Sequence, residues 1–318
     1  MALHLVTGGA GFIGSNLVRS LLADGESVRV LDNLSTGKRE NLMGLKHVEF
    51  IEGDIRNMAT CREACRGVNY VYHLAAFISV PESLKNPSLS ADINIAGSIN
   101  MLRAAADAKV DSFVYASSCA VYGPSTKELQ REDEPGSPIS PYAADKRSLE
   151  LYAATFQNCF GLPTVGLRFF NVYGPNQDPA SPYAAVVPIF MQRMLQGRAV
   201  QIHGDGRQTR DFVFVGDVVA ANRLAAGAGF DSPEVFNVGT GQVTGVLELA
   251  TMMREVVGNA PEPEFTPARE GDIRNSRADL TKSGAKLGFM PQVDLREGLT
   301  RTVEWLRGSG DFSQTVNQ

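Results

Sequence analysis

Cysteine is scarce. Four residues in a chain of 318 are too few for a disulfide scaffold, and the spacing of Cys61, Cys65, Cys119 and Cys159 matches no zinc framework, so no metal is expected. Cys61 and Cys65, four apart on a predicted helix, read as buried or half-buried thiols. Excess positive charge is also missing. Lys and Arg number 30 against 35 Asp and Glu, a net charge of −5, which argues against a nucleic-acid surface. No apolar run reaches the roughly 18 residues that a membrane span needs. Met1 to Val6 is too short and too uncharged for a signal peptide, so a cytoplasmic protein is expected. No internal repeat or low-complexity tract occurs. What remains is ordinary globular composition, 43% hydrophobic and 20% charged, and enough chain for one large domain or two coupled ones.

The most informative stretch is the first. Leu3 to Thr7 is a short apolar strand. Gly8-Gly9-Ala10-Gly11-Phe12-Ile13-Gly14 follows, and Ser15 to Leu22 continues as an amphipathic helix. A glycine turn between strand and helix lets the backbone reverse, lets a pyrophosphate approach the main chain and lets helix and strand pack closely. The open amides at the helix start, Phe12 and Ile13, then hold phosphate charge. A second strand, Ser27 to Leu31, ends in Asp32-Asn33. Asp32 lies 18 residues beyond Gly14, where a carboxylate takes ribose hydroxyls and repels a 2′-phosphate, which favours NAD over NADP.

The chain then alternates strands and helices. Ser35 and Gly37 sit in a polar loop placed to wrap the adenosine end. Val48 to Ile51 is a third strand, and the Asp54-Ile55 that follows is either an adenine contact or a helix cap. Tyr70 to Leu74 is the fourth strand. The small residues Ala75 and Ala76 let the backbone pass close to a cofactor. His73 reads as packed rather than catalytic, since nothing nearby offers it a partner. Ser79 opens a helix-start signal, and one long helix, apolar on more than one face, is expected from about Ser88 to Lys109. The fifth strand ends in Ser117-Ser118. Hydroxyls at the C-terminal end of a parallel strand sit where open α/β sheets bind ligands. Pro141 starts a helix on which Tyr142 and Lys146, four apart, share a face. An ammonium beside a phenol lowers its pKa and makes it a base fit to deprotonate a sugar or alcohol hydroxyl.

Taken together, these residues resemble the extended short-chain dehydrogenase/reductase family, and within it the nucleotide-sugar epimerases. The match runs in order through Gly8, Gly11 and Gly14, Asp32, Asp54-Ile55, Ser117-Ser118 before Val121-Tyr122-Gly123, Tyr142 with Lys146, and Arg168 to Pro175. Gly204-Asp205-Gly206 with Arg210-Asp211-Phe212, and Arg269 to Asp272, look like further substrate segments. The resemblance covers about residues 2 to 308. It implies an α/β fold, a Rossmann-type doubly wound parallel sheet with a smaller, discontinuous C-terminal substrate domain. Residues 1–170 with parts of 210–240 would bind NAD, 171–210 and 241–308 would hold the nucleotide sugar, and 309–318 would be a flexible tail.

The resemblance also implies a chemistry. Tyr142 takes the sugar 4-hydroxyl proton, Ser118 hydrogen-bonds the 4-oxygen, and Lys146 holds the nicotinamide ribose and lowers the Tyr142 pKa. NAD accepts and returns the hydride without net redox. Leu74 and Phe170 would line the nicotinamide side. Ser79, Asn94, Asn171, Gln201, Arg210, Arg269 and Asp272 would contact the UDP-sugar, with the arginines as forks for phosphate. Cys119 follows Ser118 where the family's dehydratases and decarboxylases place an acid, which argues against elimination and decarboxylation.

Two features bear on the sugar. The stretch from Gln177 through Ala185-Val186 resembles the loop of epimerases that take N-acetylated sugars. Ser276 stands where galactose-only enzymes of the family carry Tyr, leaving room for an N-acetyl group. Both point to 4-epimerisation of UDP-N-acetylglucosamine to UDP-N-acetylgalactosamine, with UDP-glucose not excluded, because a roomy pocket discriminates by only roughly 10- to 200-fold per small group. UDP-glucose and UDP-glucuronate 4-epimerisation are the alternatives, and a non-catalytic NAD-binding regulator is the rival of another class. The helices near residue 100 and after Tyr142 resemble the family's dimer-forming pair, so a homodimer is expected.

Overall fold

The computed structural model describes residues 2–124, 127–179, 185–258, 260–267 and 274–308. Its first half is laid down by alternation. β1 (Leu3–Thr7), α1 (Phe12–Ala23), β2 (Ser27–Asp32), β3 (Val48–Glu52), α2 (Met58–Cys65) and β4 (Tyr70–His73) come first. Then follow α3 (Val80–Lys85), α4 (Pro87–Ala91), a π-helical turn (Asp92–Gly97), α5 (Ser98–Ala108), β5 (Ser112–Ser118), α6 (Pro141–Phe160) and β6 (Thr164–Phe169). The strands are short and apolar, as parallel strands buried on both faces must be. They pair in parallel in the order β3-β2-β1-β4-β5-β6.

The second half is assembled from smaller pieces: β7 (Asn171–Tyr173), α7 (Val186–Leu195), β8 (Gln201–His203), β9 (Thr209–Arg210), β10 (Phe212–Phe214), α8 (Val215–Gly227), β11 (Glu234–Val238), β12 (Thr244–Gly245), α9 (Val246–Val257), β13 (Glu264–Thr266) and α10 (Leu295–Gly308). β11 returns to the main sheet as its seventh strand, parallel to β6. Pairs β7–β10, β8–β13 and β9–β12 form small separate sheets.

Three apolar cores result. One lies on the face of the sheet covered by α1 and α8 and includes Leu17, Val30, Leu167, Val218 and Phe236. The opposite face, with Leu5, Val71, Phe113, Met101 and Leu149, is covered by α2, α5 and α6. The third joins α7, α9 and α10 through Met191, Leu249, Met253 and Leu299. Leu287 and Phe289 join the first core, although they fall in the stretch assigned to the substrate domain. Cys61 and Cys65 are fully buried, and burial pushes both thiols up to about 12. Among the described residues no group of His, Cys, Asp or Glu has the geometry to hold a metal ion, and no helix is long and apolar enough to cross a membrane.

One local expectation is corrected. The helix expected from Ser88 to Lys109 is interrupted by the π turn, within which the Asn94 side chain bonds both backbone groups of Phe77. Asp217 is the third residue of α8, and its two carboxylate oxygens accept from the amides of Gln292 and Val293, tying down the approach to α10. α7 begins at Val186, after an extended Ala185.

Candidate active site

The strand order reverses at β1, so the loops after β1 and β4 diverge and leave a crevice at the C-terminal edge of the sheet. A cleft of about 940 Å³ opens there. Its lining contains Gly8, Gly11, Phe12, Ile13, Asp32, Asn33, Ser35, Gly37, Asp54, Ile55, Leu74, Ala75, Ala76, Tyr142, Lys146 and Phe170. These are all the residues assigned to the cofactor from sequence. Gly8 has a positive φ of 67°, and a Cβ there would lie 2.8 Å from the Ala75 amide nitrogen. Gly14 lets α1 lie against the turn, since a Cβ would meet the Gly8 carbonyl oxygen.

This cleft fits a dinucleotide. The cap residue of α1 is Gly11, which offers no side chain to the first-turn amides, so these remain available to a pyrophosphate. Asp32 ends β2 and is buried. Its carboxylate accepts from the amides of Ala10 (2.9 Å) and Leu34 (2.8 Å), while burial pushes its pKa up. Asp54 does not cap α2; Asn57 does, accepting from the amides of Ala59 and Thr60. Asp54 is instead forked by Arg56 (3.0 and 2.8 Å) and bonded by Asn33, and the guanidinium lowers its pKa to about 2.

Ser118, Tyr142 and Lys146 meet at the other end of the cleft. Ser118 ends β5, accepts from the Ala120 amide (3.1 Å) and lies close enough to the Tyr142 phenol to lower its pKa. Ser140 caps α6, with Pro141 in its first turn, and this sets Tyr142 at the mouth of the helix. The expectation that Lys146 lowers the Tyr142 pKa is not met by the protein alone. Burial pushes the phenol up to about 12, opposed by Ser118. The Lys146 ammonium donates to the Ala116 carbonyl (2.8 Å), lies 5.9 Å from the Tyr142 ring centre, and is itself lowered to about 8 by burial. His73 is packed, as expected, but it does have partners. Its ring is buried beside this group and has two partners, Thr7 Oγ1 and Ser98 Oγ, both at 2.9 Å.

The residues assigned to substrate are more scattered. Ser79 lines the cleft but is buried and caps α3 through the Glu82 amide. Asn94 does not face the cleft. Its Oδ1 accepts from the Phe77 amide (2.8 Å) and its Nδ2 donates to the Phe77 carbonyl (3.0 Å), so the amide is spent on the cleft wall. Asn171 begins β7 and donates to the Asp211 carbonyl. Ala185 caps α7 and Val186 opens it; Gln201 is an exposed residue of β8. Arg210 donates to the Thr209 carbonyl. Ser276 is buried, donates to Gln130 Oε1 (3.3 Å) and is not part of the cleft lining; it lies near Cys119, which follows Ser118. Arg269 and Asp272 lie outside the described residues.

Two buried carboxylates escaped sequence reasoning. Glu150 on α6 accepts from Ser117 Oγ (2.6 Å) and is forked by Arg168 (2.8 Å twice), fixing the helix on β5 and β6. Asp145, between Tyr142 and Lys146, accepts from Ser90 Oγ (2.5 Å). Their only signal in the sequence was their position on the face that carries Tyr142 and Lys146. Asp211, fully buried, accepts from the amides of Thr240, Gly241 and Ala278 and so pins three segments together.

Comparison with known proteins places this geometry in context. The NAD dependent epimerase/dehydratase family model matches residues 4–239. The UDP-glucose 4-epimerase of Mycolicibacterium smegmatis is 44% identical over 308 residues, 95% of this chain and 98% of that protein. The crystal structure of UDP-glucose 4-epimerase from Thermotoga maritima with UDP-glucose is 44% identical, covers 96% of this chain and 99% of that one, and superposes with a TM-score of 0.92. UDP-N-acetylglucosamine 4-epimerase from Methanobrevibacter ruminantium, in complex with UDP-N-acetylmuramic acid, is 38% identical, with 97% and 99% coverage and a TM-score of 0.93. With a dinucleotide cleft, a Ser-Tyr-Lys group at its end and a family match over most of its length, the chain belongs to the NAD-dependent epimerase/dehydratase family.

Proposed function

We propose that the protein is a UDP-sugar 4-epimerase acting on UDP-N-acetylglucosamine and UDP-N-acetylgalactosamine, with UDP-glucose as a second substrate. The observation that carries the 4-epimerase reading is the meeting of Ser118, Tyr142 and Lys146 at the end of the dinucleotide cleft. NAD would be held along the α1 amides and Asp32 and would supply a reversible hydride acceptor. Tyr142 takes the proton of the sugar 4-hydroxyl and later returns it. Ser118 hydrogen-bonds the 4-oxygen as its charge changes. Lys146 stabilises the phenolate by its charge.

The preference for the N-acetyl sugar rests on Ser276. It is small and buried and bonds Gln130, and it stands where galactose-only enzymes of the family carry a bulky ring. UDP-glucose 4-epimerisation is the second reading, favoured by the name and 44% identity of the Mycolicibacterium protein. We further propose a cytoplasmic homodimer. It is supported by Leu151, Tyr152 and Phe160 of α6, apolar side chains 59, 42 and 52% exposed. The test is a product assay on purified protein with each UDP-hexose. Conversion of the acetylated sugar at least as fast as that of UDP-glucose is the expected result. Conversion of UDP-glucose alone would remove the Ser276 argument, and conversion of neither would sink the epimerase reading.

A further inference from the structure

We propose that Lys38 and Asp178 are positioning residues that form a clasp across the mouth of the dinucleotide cleft and hold the cofactor in place between turnovers. The inference rests on the 4-epimerase reading, which needs a retained cofactor, and deepens it.

Lys38 follows β2 and Asp178 follows β7, and both line the cleft. Their charged groups meet at 2.8 Å. Each partner is carried by a segment fastened to the glycine turn or to α1. The Lys38 amide donates to the Ala10 carbonyl (3.0 Å), and Asn41 Nδ2 donates to the same oxygen (2.9 Å). On the other side, Asn16 Nδ2 donates to the Pro175 carbonyl (2.9 Å), and Asn176 Nδ2 donates to Ser15 Oγ (3.2 Å). Asn176 has a positive φ of 68°, which Asn adopts more readily than most residues, and Gln177 and Asp178 follow that bend into the cleft lining. The ion pair therefore closes a ring that runs from Ala10 through Lys38, Asp178 and Asn176 to Ser15. One side of the ring is the first turn of α1, where Phe12 and Ile13 offer their amides to a pyrophosphate.

An exposed ion pair is weak when two free side chains must be held in one geometry. Here the backbone under each partner is already fixed, so closing the pair orders little more. Lys38 is 49% exposed and Asp178 28%, which leaves the pair open to screening by salt. Arg39, next along, pairs with Glu52 (2.9 Å), lies over the Phe50 ring and does not line the cleft. Lys38 is thus the cation of this loop that faces the cofactor. The chemistry gives the clasp its use. A 4-epimerase returns the hydride it has taken, so a reduced cofactor lost in mid-cycle leaves the sugar oxidised and the enzyme empty.

The test measures NAD release from the loaded holoenzyme without sugar, with released NAD trapped by excess alcohol dehydrogenase and ethanol and read as NADH. Wild type is compared with Lys38→Met, Asp178→Asn and the double variant. Each single change should speed release by about two- to five-fold, the range for an exposed pair. The double variant should be no faster than the faster single, because both changes remove one contact. Concentrated salt should speed release from wild type more than from the variants. Unchanged release in either single, or a double variant whose effect is the product of the two, overturns the inference. Faster release in Lys38→Met alone would mean that Lys38 holds the phosphates directly, and overturns it too. Release is read without sugar, so these rates decide the clasp, and turnover of a UDP-hexose by the wild type decides the 4-epimerase reading.

Discussion

Tyr142 is the residue on which the chemistry turns. Tyr142→Phe removes only the hydroxyl, so NAD content and thermal midpoint should hold while turnover falls by roughly 10²- to 10⁴-fold, the usual worth of a general base. Retained turnover would refute the assignment. Ser276→Tyr places a ring next to Gln130 and Cys119. It should suppress turnover of the N-acetyl sugar and spare UDP-glucose, and equal loss on both would sink the pocket argument. Arg168→Ala leaves Glu150 buried without its fork. Breaking such a pair costs about 3–5 kcal/mol, readable as a fall in the urea midpoint. These side chains differ in how visible they were. The glycines, Asp32, Tyr142 and Lys146 sit at fixed offsets from a turn or a helix start, so sequence spacing locates them. The roles of Asn94 and Asp145 depend on which backbone lies across from them, and that is set by tertiary packing. The charge balance at Tyr142 was misjudged for the same reason: spacing shows a cation four residues away but not the depth of burial.

At the scale of elements, the first five strands of the main sheet were legible as short apolar runs, and β1, β2, β3 and β5 end in or run into Gly, Asp or Ser. Their ends moved little: β2 runs to Asp32 and β5 to Ser118. The π turn was not legible, since the contact its Asn94 makes, with the backbone of Phe77, is set by tertiary packing. Caps were partly legible. Asp54 and Asn57 both suit a cap, and only the structure shows that Arg56 claims the first. Asn57→Ala should therefore destabilise α2 by about 1 kcal/mol, seen as a lower thermal midpoint with kcat unchanged. Unaltered stability would mean that α2 is held by the Cys61 and Cys65 core contacts alone.

For the whole molecule, the doubly wound sheet followed from the alternation of strands and helices, whereas the small β7–β10, β8–β13 and β9–β12 pairs did not. Strands of two or three residues carry no period to read. The exposed apolar side chains of α6 give a test of assembly. Leu151→Glu should shift the protein from dimer to monomer in sedimentation, and a dimer that survives would place the contact elsewhere. The path of the chain has a consequence of its own. β11 completes the main sheet only after the chain has left it to build β7 and α7, and Asp217 then reaches forward to residues just before α10. The two halves are threaded through one another like a double stitch. No single cut of the polypeptide can release either as an intact fragment, and a protease that nicks one loop should leave a molecule that still melts as a unit.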